Sequence, residues 1–119
     1  MTEPAMVEVR AVLRTGRLSR VLHALDEAGV PRSTISHVHG TGAGVDPAEA
    51  RLALDEEGGR YMDKVLVRVL CGAERCGDLV DVIAGAARTG KRGDGIVSIH
   101  PVLEVVKIRT GGRGPDALE

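Results

Sequence analysis

The 119-residue chain has no Trp and no Phe, and its single aromatic is Tyr61. A core without large aromatics has to be filled by Val, Leu, Ile and Ala, which a domain of this length can do at ordinary packing density. The same shortage argues against recognition of RNA or single-stranded DNA, which relies on aromatic stacking platforms. Two cysteines are too few for a disulfide framework. A net charge of −1 gives no global attraction to nucleic acid or anionic lipid. No apolar run approaches the ~20 residues of a membrane helix, so direct membrane insertion is not expected. The first ten residues lack the basic start and apolar centre of a signal peptide. The expected setting is cytoplasmic, and the expected organisation is one domain over residues 1–119.

What the chain does have is strong apolar periodicity. Val7, Val9, Ala11 and Leu13 alternate, which predicts a half-buried strand. Leu18, Val21, Leu22 and Leu25 recur at helical spacing, and Gly29 and Pro31 follow as stop signals, predicting a helix over 17–28. Residues 33–40 read as a second strand. The run from Tyr61 to Cys71 places Val65, Val67 and Val69 on one face of a third strand. Cys76, Leu79, Val80, Ile83, Ala84 and Ala87 predict a helix over 73–88. Residues 96–99 and 103–108 are apolar and β-branched around Pro101, predicting one bent strand or two short ones. This order gives an α+β fold, a ferredoxin-like βαββαβ sandwich with two helices on one face of an antiparallel sheet.

Between the second and third strands lie about twenty residues, 41–60, well beyond a hairpin turn. Asp46-Pro47-Ala48-Glu49 has the form of a capping box and predicts a short helix within this loop. Residues 1–5 and those after Gly114 read as mobile ends, with 111–119 as a C-terminal tail.

The glycines and charges are segregated. Of 16 glycines, 11 fall in 40–44, 58–59, 90–95 and 111–114. Residues 88–113 carry six basic and two acidic side chains, whereas 41–60 carry two and five. In Arg88-Thr89-Gly90-Lys91-Arg92-Gly93-Asp94-Gly95, three glycines free the backbone N–H groups to converge, and the cations add charge, a pattern suited to phosphate oxygens. It is not a P-loop, because Arg92 stands where Ser or Thr is required and the glycines follow a helix. The competing reading is a glycine-rich helix stop with solvated cations. Lys107 and Arg109, two apart near the end of the last strand, would project from one face and repel unless an anion lies between them. Asp94 lies among glycines with no sequence neighbour as partner, and no nucleophile has an oriented base. The chain is therefore read as a non-enzyme. His37 and His39 share a strand face, and Cys71 and Cys76 flank a turn; without a second paired motif these are read as a surface pair and buried thiols, with no metal site.

The segment AARTGKRGDGIVSIHPVLEVVKIRTGGRGPDAL, residues 86–118, resembles the C-terminal signature of P-II nitrogen-regulatory signalling proteins. The likeness extends over VEVRAVLRTGRLSRVLHALDEAGV at 7–30 and SHVHGTG at 36–42. It implies a homotrimer with ATP or ADP, and in this chain AMP as a further candidate, bound between subunits, with Mg accompanying ATP. The 41–60 loop would dock on a target transporter or metabolic enzyme. By position, the resemblance implies that Thr34, Gly42 and Leu70 line the nucleotide site. It gives Gly93, Asp94 and Gly95 the phosphates, Lys107 and Arg109 a supply of positive charge, and Lys64 a contact to 2-oxoglutarate. Four departures stand out. Typical members carry Lys where this chain has Ile96 and Arg where it has Lys107. Their Arg-Gln pair is replaced by Ala43-Gly44, which argues against 2-oxoglutarate sensing. The loop also lacks the tyrosine that is modified in many members. The alternative is a metal-binding trimer of the same fold, resembling heavy-metal tolerance proteins, built on His37, His39 and Cys71.

Overall fold

The computed structural model describes residues 3–30, 32–42, 45, 48–52 and 60–118. Among these residues five strands and two α-helices follow in the order β1 (Met6–Arg14), α1 (Leu18–Glu27), β2 (Thr34–Gly40), β3 (Arg51–Leu52), β4 (Arg60–Gly72), α2 (Cys76–Ala87) and β5 (Gly95–Val102). A single 3-10 turn precedes each helix, Thr15–Arg17 before α1 and Ala73–Arg75 before α2. The sheet is antiparallel in the order β2-β4-β1-β5, and β3 adds a two-residue pairing to the start of β4. This is the ferredoxin-like arrangement that the sequence predicts.

Alternation explains the core. Val7, Val9, Ala11 and Leu13 of β1 and Val65, Val67, Val69 and Cys71 of β4 point to one face, where they meet Val21 and Leu25 of α1 and Leu79, Ile83 and Ala87 of α2. Each of these side chains is buried, and a fully buried Val, Leu or Ile contributes roughly 1.5–3 kcal/mol. Among the described residues the other face carries no helix. On it Glu8 is buried and accepts hydrogen bonds from Arg10 and from Arg68 Nε at 3.2 Å. Burial alone would raise the Glu8 carboxyl, but the two guanidinium groups outweigh it and hold the pKa below its ordinary value.

Three expectations are corrected. Residues 103–108 do not form a strand. Pro101 lies inside β5, opposite Val7, which an edge strand tolerates because the missing N–H faces away from a partner. The chain beyond Val102 then closes on itself: Gly111 N–H donates to Lys107 O at 2.7 Å, Lys107 N–H to Gly112 O at 2.8 Å and Gly114 N–H to Val105 O at 3.0 Å. Secondly, the described residues after Arg113 are not a loose tail, since Gly114–Leu118 forms a 3-10 turn that buries Ala117. Thirdly, Ala48 and Glu49 lie in a turn, where a helix starting at Pro47 was expected; Asp46 and Pro47 fall outside the described residues. Among the described residues no helix is long and apolar enough to cross a membrane.

Candidate functional site

α2 ends as Arg88 turns to extended backbone, and residues 89–94 carry the chain across the ends of β1 and β4 into β5. Asp94 organises this segment. Its carboxylate accepts from Thr89 N–H at 2.9 Å, Gly90 N–H at 2.8 Å, the Thr89 hydroxyl and Arg14 Nε at 3.0 Å. The Thr89 hydroxyl, then the Arg14 guanidinium and the two amides, hold the Asp94 carboxyl well below the usual carboxylate range against a smaller opposing effect of burial. Asp94 is thus not partnerless: it fixes the shape of the loop and itself lines the cleft beside Gly93 and Gly95.

Arg14, at the end of β1, spans three segments. Besides Asp94 it donates to Glu49 in the long loop and to the carbonyl of Arg92. Lys64 on β4, paired with Arg14 across the strands, donates to the carbonyl of Gly93. Lys64 is only 6% exposed. Burial, and then repulsion from Arg14, push its ammonium below the ordinary lysine value, although Asp94 and Glu49 partly compensate. Gly93 and Gly95 have φ of +93° and +101°, so this backbone path requires glycine at both positions. Together Gly40, Thr41, Lys64, Lys91, Gly93 and Ile96 wall a cleft of about 470 Å³.

The other residues singled out from the sequence do not all reach this cleft. Gly42, with φ +106°, follows directly on Thr41 at the root of the long loop. Thr34 and Leu70 are further off. Thr34 pairs with Arg68, four residues along β4 from Lys64, and Leu70 lies two beyond, about 20 Å from Lys64 at the rise of an extended strand. Both side chains are exposed. Lys107 and Arg109 sit in the self-closing C-terminal turn, so the expectation of two cations on one strand face is withdrawn. Two residues escaped sequence reasoning. Arg14 shares the parity of Glu8 and Arg10 and could have been read as the outward end of β1. Glu49 could not, because nothing local shows where a long loop returns.

The histidines and cysteines do not assemble. His39 stacks on Tyr61 with ring centroids 4.2 Å apart, and its Nε2 lies 3.4 Å from Asp63. His37 is opposite Val65, six residues along β4 from Cys71. Among the described residues no group of three or more His, Cys, Asp or Glu side chains could hold a metal ion. The His37, His39 and Cys71 alternative therefore has no centre within one chain.

Comparison with known proteins assigns the family. The sequence matches the family "Nitrogen regulatory protein P-II" over residues 6–112. It is 35% identical over 113 residues to a nitrogen regulatory protein P-II of Nostoc punctiforme, covering 95% of this chain and 100% of that protein. It is 34% identical over 115 residues to a P-II homolog of Oryza sativa, covering 97% of this chain; the chain spans 54% of the length of that plant relative. The fold is similar to a crystal structure of Arabidopsis thaliana PII bound to citrate, with a TM-score of 0.80, 26% identity and coverage of 98% of this chain and 93% of that one. Since the match runs from the first residue of β1, past the glycine cradle, to the turn that follows the last strand, this chain belongs to the P-II family of nitrogen regulatory proteins.

Proposed function

We propose that the chain is a non-catalytic signalling protein of the cytoplasm that binds ATP, ADP or AMP between the subunits of a homotrimer, with Mg accompanying ATP. It would regulate a transporter or metabolic enzyme through the 41–60 loop. The observation that carries this reading is Lys64, a cation buried beside a second cation at the wall of a glycine-lined cleft. Such an arrangement is costly in the empty protein and is relieved by an anionic ligand.

The distribution of the remaining candidates supports a site between subunits. Gly42, Gly93, Asp94 and Gly95 stand at one end of the sheet, while Thr34 and Leu70 stand further along its outer face. One chain cannot close both sets around one nucleotide, whereas a neighbouring copy can offer the second set to the first. Leu103 and Ile108 are almost fully exposed, and Ile96 is 71% exposed, apolar surface that a second copy would cover. In the assembled site the Gly93 and Gly95 amides would meet phosphate oxygens, Asp94 would hold the loop in shape, and Lys107 and Arg109 would come from the neighbour. Lys64 would brace the cradle through Gly93 O in place of a dedicated 2-oxoglutarate contact, and 2-oxoglutarate is not expected to bind. The citrate on the Arabidopsis relative supports the broader point that this fold takes small anions.

The test is isothermal titration of the whole protein with ATP, ADP and AMP, with and without Mg, alongside sedimentation equilibrium. Binding at sub-millimolar dissociation constants by a trimer is the expected result. A chain that binds none of the three above millimolar affinity, or that remains monomeric, overturns the proposal, and steady release of phosphate from ATP would overturn the non-catalytic part.

A further inference from the structure

We propose a second anion site, outside the glycine-lined cleft, in which a compact anion of the diphosphate class sits between the start of α1 and residues 88–91 and displaces Glu49 of the long loop from Arg14. The inference is independent of nucleotide binding. The site is a recess of about 400 Å³ whose walls include Arg14, Arg17, Arg20, Glu49, Asp63 and Lys91. Hydrogen bonds bring its two sides together. Arg17 Nη2 donates to the carbonyl of Arg88 at 3.2 Å, and Arg14 holds Asp94, which in turn accepts from the Thr89 amide and hydroxyl. Lys91 is fixed to the same turn, its N–H donating to the Thr89 hydroxyl at 3.1 Å. Opposite it, Arg14, Arg17 and Arg20 follow at intervals of three through the 3-10 turn into α1, a spacing that sets side chains on one face.

Positive charge is in excess there. Arg14 is shared between Glu49 and Asp94, and Asp63 lies 3.4 Å from His39. The four cations therefore face three carboxylates while Glu49 is in place, and two once it has left. Neither the 3-10 turn nor α1 has an acidic residue in its first turn to offset them. Glu49 is the partner that a ligand can replace, since its side chain is 38% exposed against 11% for Arg14. It acts as a tethered occupant, at an effective concentration of the order of millimolar, so a free monocarboxylate gains nothing by taking its place. A diphosphate does gain, because one of its phosphate groups can meet Arg14 while the other meets Arg17, Arg20 or Lys91 in charge-assisted hydrogen bonds. Tyr61, the only aromatic of the chain, is stacked on His39 and is not a wall of the recess, so the site suits the anion itself and offers no platform for a base. Lys91 also borders the glycine-lined cleft, whereas Arg17 and Arg20 do not, and these two arginines tell the sites apart.

The test is isothermal titration of the whole protein with inorganic pyrophosphate at about 0.15 M salt, with acetate as the control anion. The expected result is saturable binding of one pyrophosphate per chain at a sub-millimolar dissociation constant, and no response to acetate. Arg17→Gln combined with Arg20→Gln keeps good helix formers in α1 and should weaken pyrophosphate at least roughly ten-fold. Glu49→Gln removes the charge of the competing occupant and should tighten pyrophosphate about three- to ten-fold, which a Glu49 that merely supports the loop would not do. Lys64→Met, on the wall of the glycine-lined cleft, should stay within about two-fold of the unaltered chain. An absence of saturable binding, a Glu49→Gln constant that is unchanged or weaker, or a double arginine variant that binds as well as the unaltered chain overturns the proposal. Binding lost in Lys64→Met instead puts the anion in the glycine-lined cleft and overturns it as well. Glu49→Gln decides the matter even if the double arginine variant fails to fold. A chain that gives this pattern but binds no nucleotide upholds the site, and nucleotide binding without the pattern refutes it.

Discussion

Replacing Gly95 by alanine tests the physical account of the cradle. A Cβ built on Gly95 would lie 1.7 Å from the carbonyl oxygen of Val12 and 2.8 Å from its carbon, where real Cβ contacts stay above 3.0 Å. The obstacle is backbone, at the end of the pairing between β1 and β5 where Gly95 faces Leu13, so no rotamer change relieves it. Gly95 also has φ +101°, which costs an L-residue about 1–2 kcal/mol. Relief therefore requires β5 to peel from Leu13, losing one or two ladder hydrogen bonds worth about 1 kcal/mol each and loosening Asp94 from Arg14. The sum is about 3–5 kcal/mol, a large share of the ~5–15 kcal/mol that holds a typical domain together. For a chain of this size that predicts a melting temperature lower by roughly 12–20 °C. Thermal unfolding followed by circular dichroism gives the number, and two controls isolate its cause. Gly90 has φ +87° but nothing within 4 Å of an added Cβ, so Gly90→Ala should show the conformational cost alone, about 1 kcal/mol. Gly16 has neither constraint, and Gly16→Ala should be near neutral. If Gly95→Ala melts together with Gly90→Ala, the close approach to Val12 is not what selects glycine, and the reasoning fails.

Asp94→Asn keeps one acceptor oxygen but turns an NH2 toward donors, and should cost about 2–4 kcal/mol in urea unfolding. Because the folded Asp94 carboxyl is held below its ordinary value, its stabilisation is complete above about pH 5 and drains away as pH falls through the normal carboxylate range toward the folded value. The gap between wild type and Asp94→Asn should accordingly be flat from neutrality to about pH 5 and narrow below; a gap that widens in acid contradicts the assignment. Lys64 has the opposite sign: its depressed pKa means that the folded state disfavours the charge at neutral pH, so Lys64→Met should unfold within about 1 kcal/mol of wild type yet bind nucleotide at least roughly ten-fold more weakly. A variant that unfolds but, when folded, binds normally would reverse that reading. Tyr61 is the sole aromatic, so protein emission reports its stack on His39 alone. His39→Ala should change that emission and cost about 0.5–1.5 kcal/mol, and unaltered emission would mean that the rings do not stack in solution.

The parts of the fold legible in the sequence are those where burial acts on single-face periodicity. Val7 to Leu13 and Val65 to Val69 alternate because one face of each strand meets the helices, and the i, i+3, i+4 spacing of α1 and α2 mirrors that contact. Residues 103–108 have the same composition but no sheet to join; Gly111, with φ +74°, lets the segment bond to itself, and neither hydropathy nor Pro101 announces that choice. The two-residue strand β3 is too short to leave a pattern. At the site, the glycines of 90–95 were legible because positive φ selects them, whereas the fate of Asp94 was not. Its partners are Thr89 and Gly90, five and four residues back, and Arg14, eighty residues away. A carboxylate among glycines reads as partnerless until the turn that bonds it is seen. The separation of Thr34 and Leu70 from Gly93 was likewise invisible, because position along β4 becomes distance only once the register is known.

Arg14 shows why cradle and loop cannot move independently. One guanidinium, 11% exposed along its side chain, reaches Asp94 and the Arg92 carbonyl on one side and Glu49 on the other. Its neighbour Lys64 does not share the work, because it is turned to Gly93. If Glu49 leaves, Arg14 loses a counter-charge and rests more heavily on Asp94. If Asp94 shifts, Glu49 is left as the only carboxylate bonded to Arg14 among the described residues. Either displacement changes the free energy of the other, which is the thermodynamic content of coupling between two segments. The link needs no chain of intermediates, since the two segments share a bonded atom group. It also explains why Arg14 ends β1: a strand buried on its inward face can carry a long cation outward at its last position, where the sheet stops and the two loops meet.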